Sequence, residues 1–227
     1  MKQLALTLAP PPEPALDNFF AGQNGEVVAH LRSLVAGRDA ERSVYLWGNA
    51  GSGRTHLLRA TIAALEAAGL ACLYVAPGAG VPESAAELRA VAIDDVEKLD
   101  ARDQRAFFNL YNRMKERSGI VLAAGDAAPA RLHLRPELLT RLGWGLVYQM
   151  RALSDEEKIL ALKGHASQRS FDLPDGVADY LLHHLSRDLP SLISVLDALD
   201  RHSLETKRPI TLPLLKDLLE PGAQSPR

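Results

Sequence analysis

Val44-Tyr45-Leu46-Trp47-Gly48-Asn49-Ala50-Gly51-Ser52-Gly53-Arg54-Thr55 is a short apolar run that breaks into a glycine-rich turn, and Leu57, Leu58, Ile62 and Leu65 follow it. The apolar run has strand length and the later residues recur at helical spacing, so the segment predicts strand, loop and helix in that order. Gly, four residues, Gly, a cation and then Ser or Thr is the spacing of a phosphate loop. Glycines let successive backbone N–H groups turn inward around a phosphate, the helix N-terminus adds positive potential, and the hydroxyl holds magnesium. Arg54 stands where the pattern has lysine. A guanidinium keeps the charge but is a planar fork rather than a compact ammonium. The expectation is a diphosphate cradle built from Gly48, Gly51, Ser52, Gly53, Arg54 and Thr55 that places a third phosphate less well.

Working outward, Ala71–Val75, Ala90–Ile93, Ile120–Ala124 and Leu146–Met150 are further strand-length apolar runs, separated by segments of helical period. Five buried strands alternating with helices predict an α/β fold, a parallel sheet covered on both faces. The Ala90–Ile93 run ends in Asp94-Asp95. A carboxylate there can hold magnesium through water, which is the role read for Asp94, and a second can orient an attacking water, the role read for Asp95. Ala123-Ala124-Gly125-Asp126 offers Asp126 as a sensor of the third phosphate. After Met150 the strands stop. Ser154 with Glu157 is a capping box opening a helix to about residue 169, Pro174 opens another, Leu192, Val195, Leu196 and Leu199 mark a third, and a short one starts near Thr211. These boundaries predict an α/β nucleotide-binding domain over 16–152 and a small helical lid over 153–220. Residues 1–15, with Pro10, Pro11, Pro12 and Pro14, read as an extended tether, and 221–227 as a frayed tail.

The 227 residues are 47% hydrophobic and 24% charged, which excludes a disordered or fibrous chain. Lys+Arg 26 against Asp+Glu 28 gives a formal charge of -2. That lacks the basic surplus of a protein that holds DNA by its phosphates, so a role on DNA is expected to run through a protein partner. One cysteine, Cys72, excludes a disulfide framework, no apolar stretch reaches the roughly 18 residues of a membrane span, and the N-terminus is not a secretory signal. The expectation is a cytoplasmic protein with no membrane contact. His183-His184 lack partners at metal-ligand spacing. Trp47, Trp144 and Cys72 read as packing residues.

The phosphate loop with Thr55-His56-Leu57-Leu58, the Ile93-Asp94-Asp95-Val96 strand end, Arg141-Leu142-Gly143-Trp144-Gly145-Leu146 and Leu16-Asp17-Asn18-Phe19-Phe20-Ala21-Gly22-Gln23-Asn24 together resemble the AAA+ domain of the bacterial replication initiator DnaA. The resemblance spans about residues 16–219. It is closer to the DnaA-related family of regulatory inactivators, the Hda family, on three features: the Gln3-Leu4-Ala5-Leu6-Thr7-Leu8 terminus, the arginine in the phosphate loop, and Leu110-Tyr111-Asn112-Arg113. The chain has no room for the initiator's helix-turn-helix domain, so direct sequence-specific DNA binding is not expected.

The resemblance implies that Gln3, Leu4, Leu6 and Leu8 bind the sliding clamp, the β subunit of the DNA polymerase. It implies that Asn18, Phe19 and His56 border a pocket for ADP or ATP with Mg2+. Arg141 falls on the arginine-finger position, supplied in trans to ATP on DnaA, where such a finger raises hydrolysis by about 10³–10⁵. The implied function is negative regulation of replication initiation, beside the replisome, with homo-oligomers possible. Pro190 stands where the initiator carries a second sensor arginine, with Arg187 nearby as a substitute; together with Arg54 this implies weak or absent hydrolysis by the chain itself. The residues alone leave other readings open. Arg141 at a helix end also suits an ion pair with Glu137, and the leucine terminus also suits an edge strand folded back on the domain. An autonomous ATPase or helicase loader, and a non-catalytic adaptor between clamp and initiator, stand beside the regulator.

Overall fold

Continuous apolar runs with few charges give strands covered on both sides, and the molecule forms a five-stranded parallel sheet; the expectation of five buried strands fails at the last one, an edge strand whose Leu146 and Val147 are exposed. The computed structural model describes residues 13–82, 87–185 and 188–219; the Gln3–Leu8 segment and Arg187 lie outside them. The strands are β1 (Ser43–Trp47), β2 (Cys72–Val75), β3 (Ala90–Ile93), β4 (Ile120–Gly125) and β5 (Leu146–Gln149), in the order β2-β3-β4-β1-β5. Each predicted run is a strand to within a residue at either end. Register pairs Val44 with Leu122 on one side and Leu146 on the other, so β1 is an interior strand and β5 an edge.

Strand period 2 divides the core into two layers. Val44, Leu46, Ala90, Ala92, Leu122 and Ala124 face α1 (Gly25–Val35) and α2 (Arg54–Ala67). Tyr45, Val91, Ile93, Val121 and Ala123 face α3 (Ala101–Glu116) and α4 (Pro136–Leu142). The helix α2 and the Phe107–Met114 helix were legible from periodicity; α1 and α4 were not assigned from it. The helix α4 is seven residues with Pro136 in its first turn, too short for a periodic signal.

The chain divides into two compact units, the first running from Glu13 to Ala152. The second holds α5 (Asp155–Gln168), α6 (Asp175–His184), α7 (Leu189–Thr206) and α8 (Leu212–Leu219) around Leu162, Leu181, Leu192, Leu196, Leu199, Leu214 and Leu215. Its first helix opens on the capping box: Glu157 N–H donates to Ser154 Oγ, and Ser154 N–H donates to Glu157 Oε2. In α7 the N-cap Asp188 accepts from Ser191 N–H, and Pro190 sits in the first turn, where a missing N–H costs nothing. A network of His165, Asp197, Arg169 and Asp200 ties α5 to α7.

Candidate nucleotide site

The loop Gly48–Gly53 joins the carboxyl end of β1 to the N-terminus of α2. Gly53 is left-handed at φ +91, and any Cβ there would run into the ring of Phe19. A glycine is therefore required twice over, by backbone angle and by the close approach of Phe19. Inside the loop, Ser52 Oγ and Arg54 Nη1 are buried and have no hydrogen-bond partner among the described residues. A buried donor without a partner is costly, and phosphate oxygens are the acceptors that a helix N-terminus and a guanidinium favour. The site therefore fits the phosphates of a nucleotide.

The segment ahead of α1 closes over this loop. Phe19 packs against the His56 ring at 5.3 Å, and His56 Nε2 donates to the Ala15 carbonyl at 3.0 Å. Asn18 is used locally, its Oδ1 accepting from Ala15 N–H and its Nδ2 donating to the Glu13 carbonyl. Asn24, 3% exposed, clasps the backbone of Arg151 just beyond β5 by two hydrogen bonds of 2.8 and 2.9 Å.

At the end of β3, Thr55 Oγ1 donates to Asp94 Oδ2 at 2.7 Å, and Tyr74 Oη donates to the same oxygen at 2.7 Å. Asp94 is 2% exposed. A hydroxyl and a carboxylate held together form an oxygen donor set of the kind a hard divalent cation uses alongside phosphate and water. Tyr74, which sequence reasoning missed, orients that carboxylate; burial beside Asp94 pushes its hydroxyl up to about 12, and the Arg59 guanidinium lies 4.7 Å from its ring centre. No motif marks Tyr74. Only its place near the end of the strand paired with β3 could have found it.

Asp95 takes a left-handed backbone at φ 46 and ψ 58, uncommon for a residue with a side chain. Lys98 Nζ donates to its Oδ2 at 2.7 Å, and Arg54 Nη2 lies 3.8 Å from its Oδ1. Glu97 accepts from Asp126 N–H at 3.3 Å, so the ends of β3 and β4 meet. Gly125 has no room for a Cβ, which would collide with Tyr45 Oη; that hydroxyl donates to the Ala127 carbonyl at 2.7 Å. Burial, with Asp95 and Asp126 adding repulsion, raises the Glu97 carboxyl above the usual range.

Arg141 is far from all of this. It ends α4 just before β5, and Leu146 pairs with Val44 at the amino-terminal edge of the sheet, whereas the loop leaves the carboxyl edge. The five residues of β1 separate the two edges by about 16 Å. Arg141 Nε donates to Asn112 Oδ1 at 2.8 Å, and its guanidinium lies 3.8 Å from the Trp144 ring centre and 5.1 Å from that of Phe108. Glu137 pairs with Arg135 instead, at 3.7 Å. Trp144 is 53% exposed, so it lies against the arginine at the surface rather than in the core. Cys72 is half-buried with its thiol on the Leu70 carbonyl, and His183 and His184 each turn Nδ1 onto the carbonyl four residues back.

A phosphate loop after an interior strand of a five-stranded parallel sheet, an acidic strand end beside it and a separate helical unit together give the AAA+ fold. The fold is similar to domain III of the Thermotoga maritima replication initiation protein DnaA, at TM-score 0.70 and 18% identity over 94% of this chain and 99% of that one. It is also similar to AMPPCP-bound DnaA from Aquifex aeolicus, at TM-score 0.70 and 19% identity over 86% and 68%, and to the Thermotoga maritima RuvB Holliday junction branch migration motor, at 0.64 and 16% over 92% and 72%. Residues 155–219 match the family described as Hda, lid domain. The lid match and the DnaA-like fold together support a DnaA-related AAA+ protein of the Hda type. Among the described residues no helix is long and apolar enough to cross a membrane.

Proposed function

We propose that this protein is a negative regulator of replication initiation that stimulates hydrolysis of ATP held by DnaA, through Arg141 acting in trans. The observation that carries the reading is the separation just described: Arg141 sits at the opposite edge of the sheet from the chain's own phosphate loop. A guanidinium so placed serves a phosphate on a neighbouring molecule. Asn112 and Trp144 hold its plane, which lowers the entropy lost when it engages.

The chain's own loop binds ADP or ATP with Mg2+. Ser52 and Arg54 donate to phosphate, Phe19 and His56 border the pocket beside Asn18, and Thr55 with Asp94 holds the cation, which neutralises phosphate charge when bound. AMPPCP in the Aquifex aeolicus structure supports a nucleotide in this fold. Asp95 and Asp126 stand where a water-orienting base and a third-phosphate sensor belong. Arg54 in place of lysine, the Arg54–Asp95 pair and Pro190 in the lid make ADP the resting ligand. Gln3, Leu4, Leu6 and Leu8, on a proline tether, attach the protein to the sliding clamp by an extended peptide in an apolar groove. The division of labour is a clamp-binding tether over 1–15, a nucleotide-binding domain over 16–152, a lid over 153–220 and a tail over 221–227, in a cytoplasmic, replisome-associated protein.

ATP hydrolysis by DnaA, measured with clamp and DNA, tests this. Wild-type protein should accelerate it, Arg141→Ala should lose at least about a hundredfold of that acceleration, and deletion of residues 3–8 should abolish clamp capture. Equal stimulation by the wild type and Arg141→Ala would leave an adaptor without a finger.

A further inference from the structure

Three carboxylates meet where the ends of β3 and β4 approach the phosphate loop. Asp95 follows the cation-binding Asp94, Glu97 lies one short turn further on, and Asp126 follows β4. Two contacts tie the group together: the backbone N–H of Asp126 donates to Glu97 Oε2 at 3.3 Å, and Arg54 Nη2 lies 3.8 Å from Asp95 Oδ1. Glu97 is the unexpected member. It was not a candidate from the sequence, it is half-buried, and it feels the charge of Asp95, Asp126 and Arg54. Gly125 leaves the space into which its carboxylate reaches, since a Cβ there would come within 3.2 Å of Glu97 Oε2. Among the described residues Arg54 and Lys98 lie against Asp95, and Lys98 is committed to it at 2.7 Å.

From this juxtaposition we infer that Glu97, backed by Asp126, is a specificity-determining residue that makes the phosphate loop select a nucleoside diphosphate over a triphosphate by charge repulsion. The inference rests on the proposed nucleotide site and adds to it a cause of selection separate from the missing lysine and the missing second sensor. Arg54 belongs both to the loop and to the acidic group, so the end of a phosphate chain lying in the loop faces those acids. A third phosphate adds negative charge on that side, where one guanidinium already shares its charge with Asp95. One unit charge at partly screened separations of several ångströms alters an equilibrium by about tenfold or more. Gln at position 97 keeps an oxygen for Asp126 N–H and removes the charge.

Competition of unlabelled ADP and ATP against a fluorescent ADP analogue, with Mg2+, on the full chain gives the affinity ratio. The wild type should prefer ADP, and Glu97→Gln should shift the ratio toward ATP by about tenfold, with ATP affinity moving more than ADP affinity. In the wild type the preference should also shrink as salt rises, since a repulsion at a partly exposed site is screened. A ratio unchanged in Glu97→Gln and insensitive to salt, with ADP still bound, would overturn the inference and leave the nucleotide site intact. Failure of the wild type to bind either nucleotide would overturn the nucleotide site itself. Glu97→Ala, which removes the same charge, gives the same readout should Glu97→Gln not fold.

Discussion

Arg54 is where one residue changes the meaning of a motif. Its buried Nη1 has no partner among the described residues, while its Nη2 stands near Asp95, so the guanidinium is held at the loop and still has a donor to give. Arg54→Ala should therefore weaken ADP binding by about ten- to a hundredfold, the worth of a charge-assisted hydrogen bond; isothermal titration calorimetry reads this. The loop glycines, Ser52, Thr55 and Asp94 were legible from spacing, because phosphate chemistry constrains residue type at consecutive positions. Tyr74 and Glu97 were not. Their roles depend on which strands lie side by side, and nothing local to Leu73-Tyr74-Val75 or Val96-Glu97-Lys98 encodes that β3 lies between β2 and β4. Trp144 misled for a related reason: an aromatic residue between glycines reads as packing, and only its neighbours show that it is a platform for Arg141.

Among the elements, the capping box shows how much a local rule can carry. Ser154 and Glu157 satisfy each other's backbone N–H groups at the mouth of α5, where Asp155 and Glu156 also face the positive end of the helix. Ser154→Ala should cost about 1 kcal/mol, read as a lower denaturation midpoint with unchanged slope. The strands were equally legible because each is an apolar run bounded by turn residues, including β5, whose Leu146 and Val147 stay exposed at the sheet edge. The helix α4 was not: seven residues from Pro136 present too little period. The finger position on it came from resemblance alone, and its geometry from Asn112 on a different helix.

At the scale of the whole molecule, two cores with separate residue sets argue for two unfolding units rather than one. Leu196, fully buried among lid leucines, is the simplest probe. Leu196→Ala should cost about 2–5 kcal/mol and lower one calorimetric transition, while ADP with Mg2+ raises the transition of residues 13–152, since a ligand stabilises the unit that binds it. A single transition that moves as a whole in both experiments would show the units to be thermodynamically one. The sequence already carried this division in the loss of strand-length runs after Met150.

The placement of Arg141 and the phosphate loop at opposite edges of one sheet has a geometric corollary. Joining Arg141 of one molecule to the phosphate loop of another would bring together unlike surfaces, so such a contact is heterologous and has no twofold axis. Each molecule carries an arrow that runs from its loop to its arginine. A partner that accepts the arginine leaves the donor's loop edge open, and such a contact repeats in one direction until a ring closes or a molecule without a matching edge ends the row.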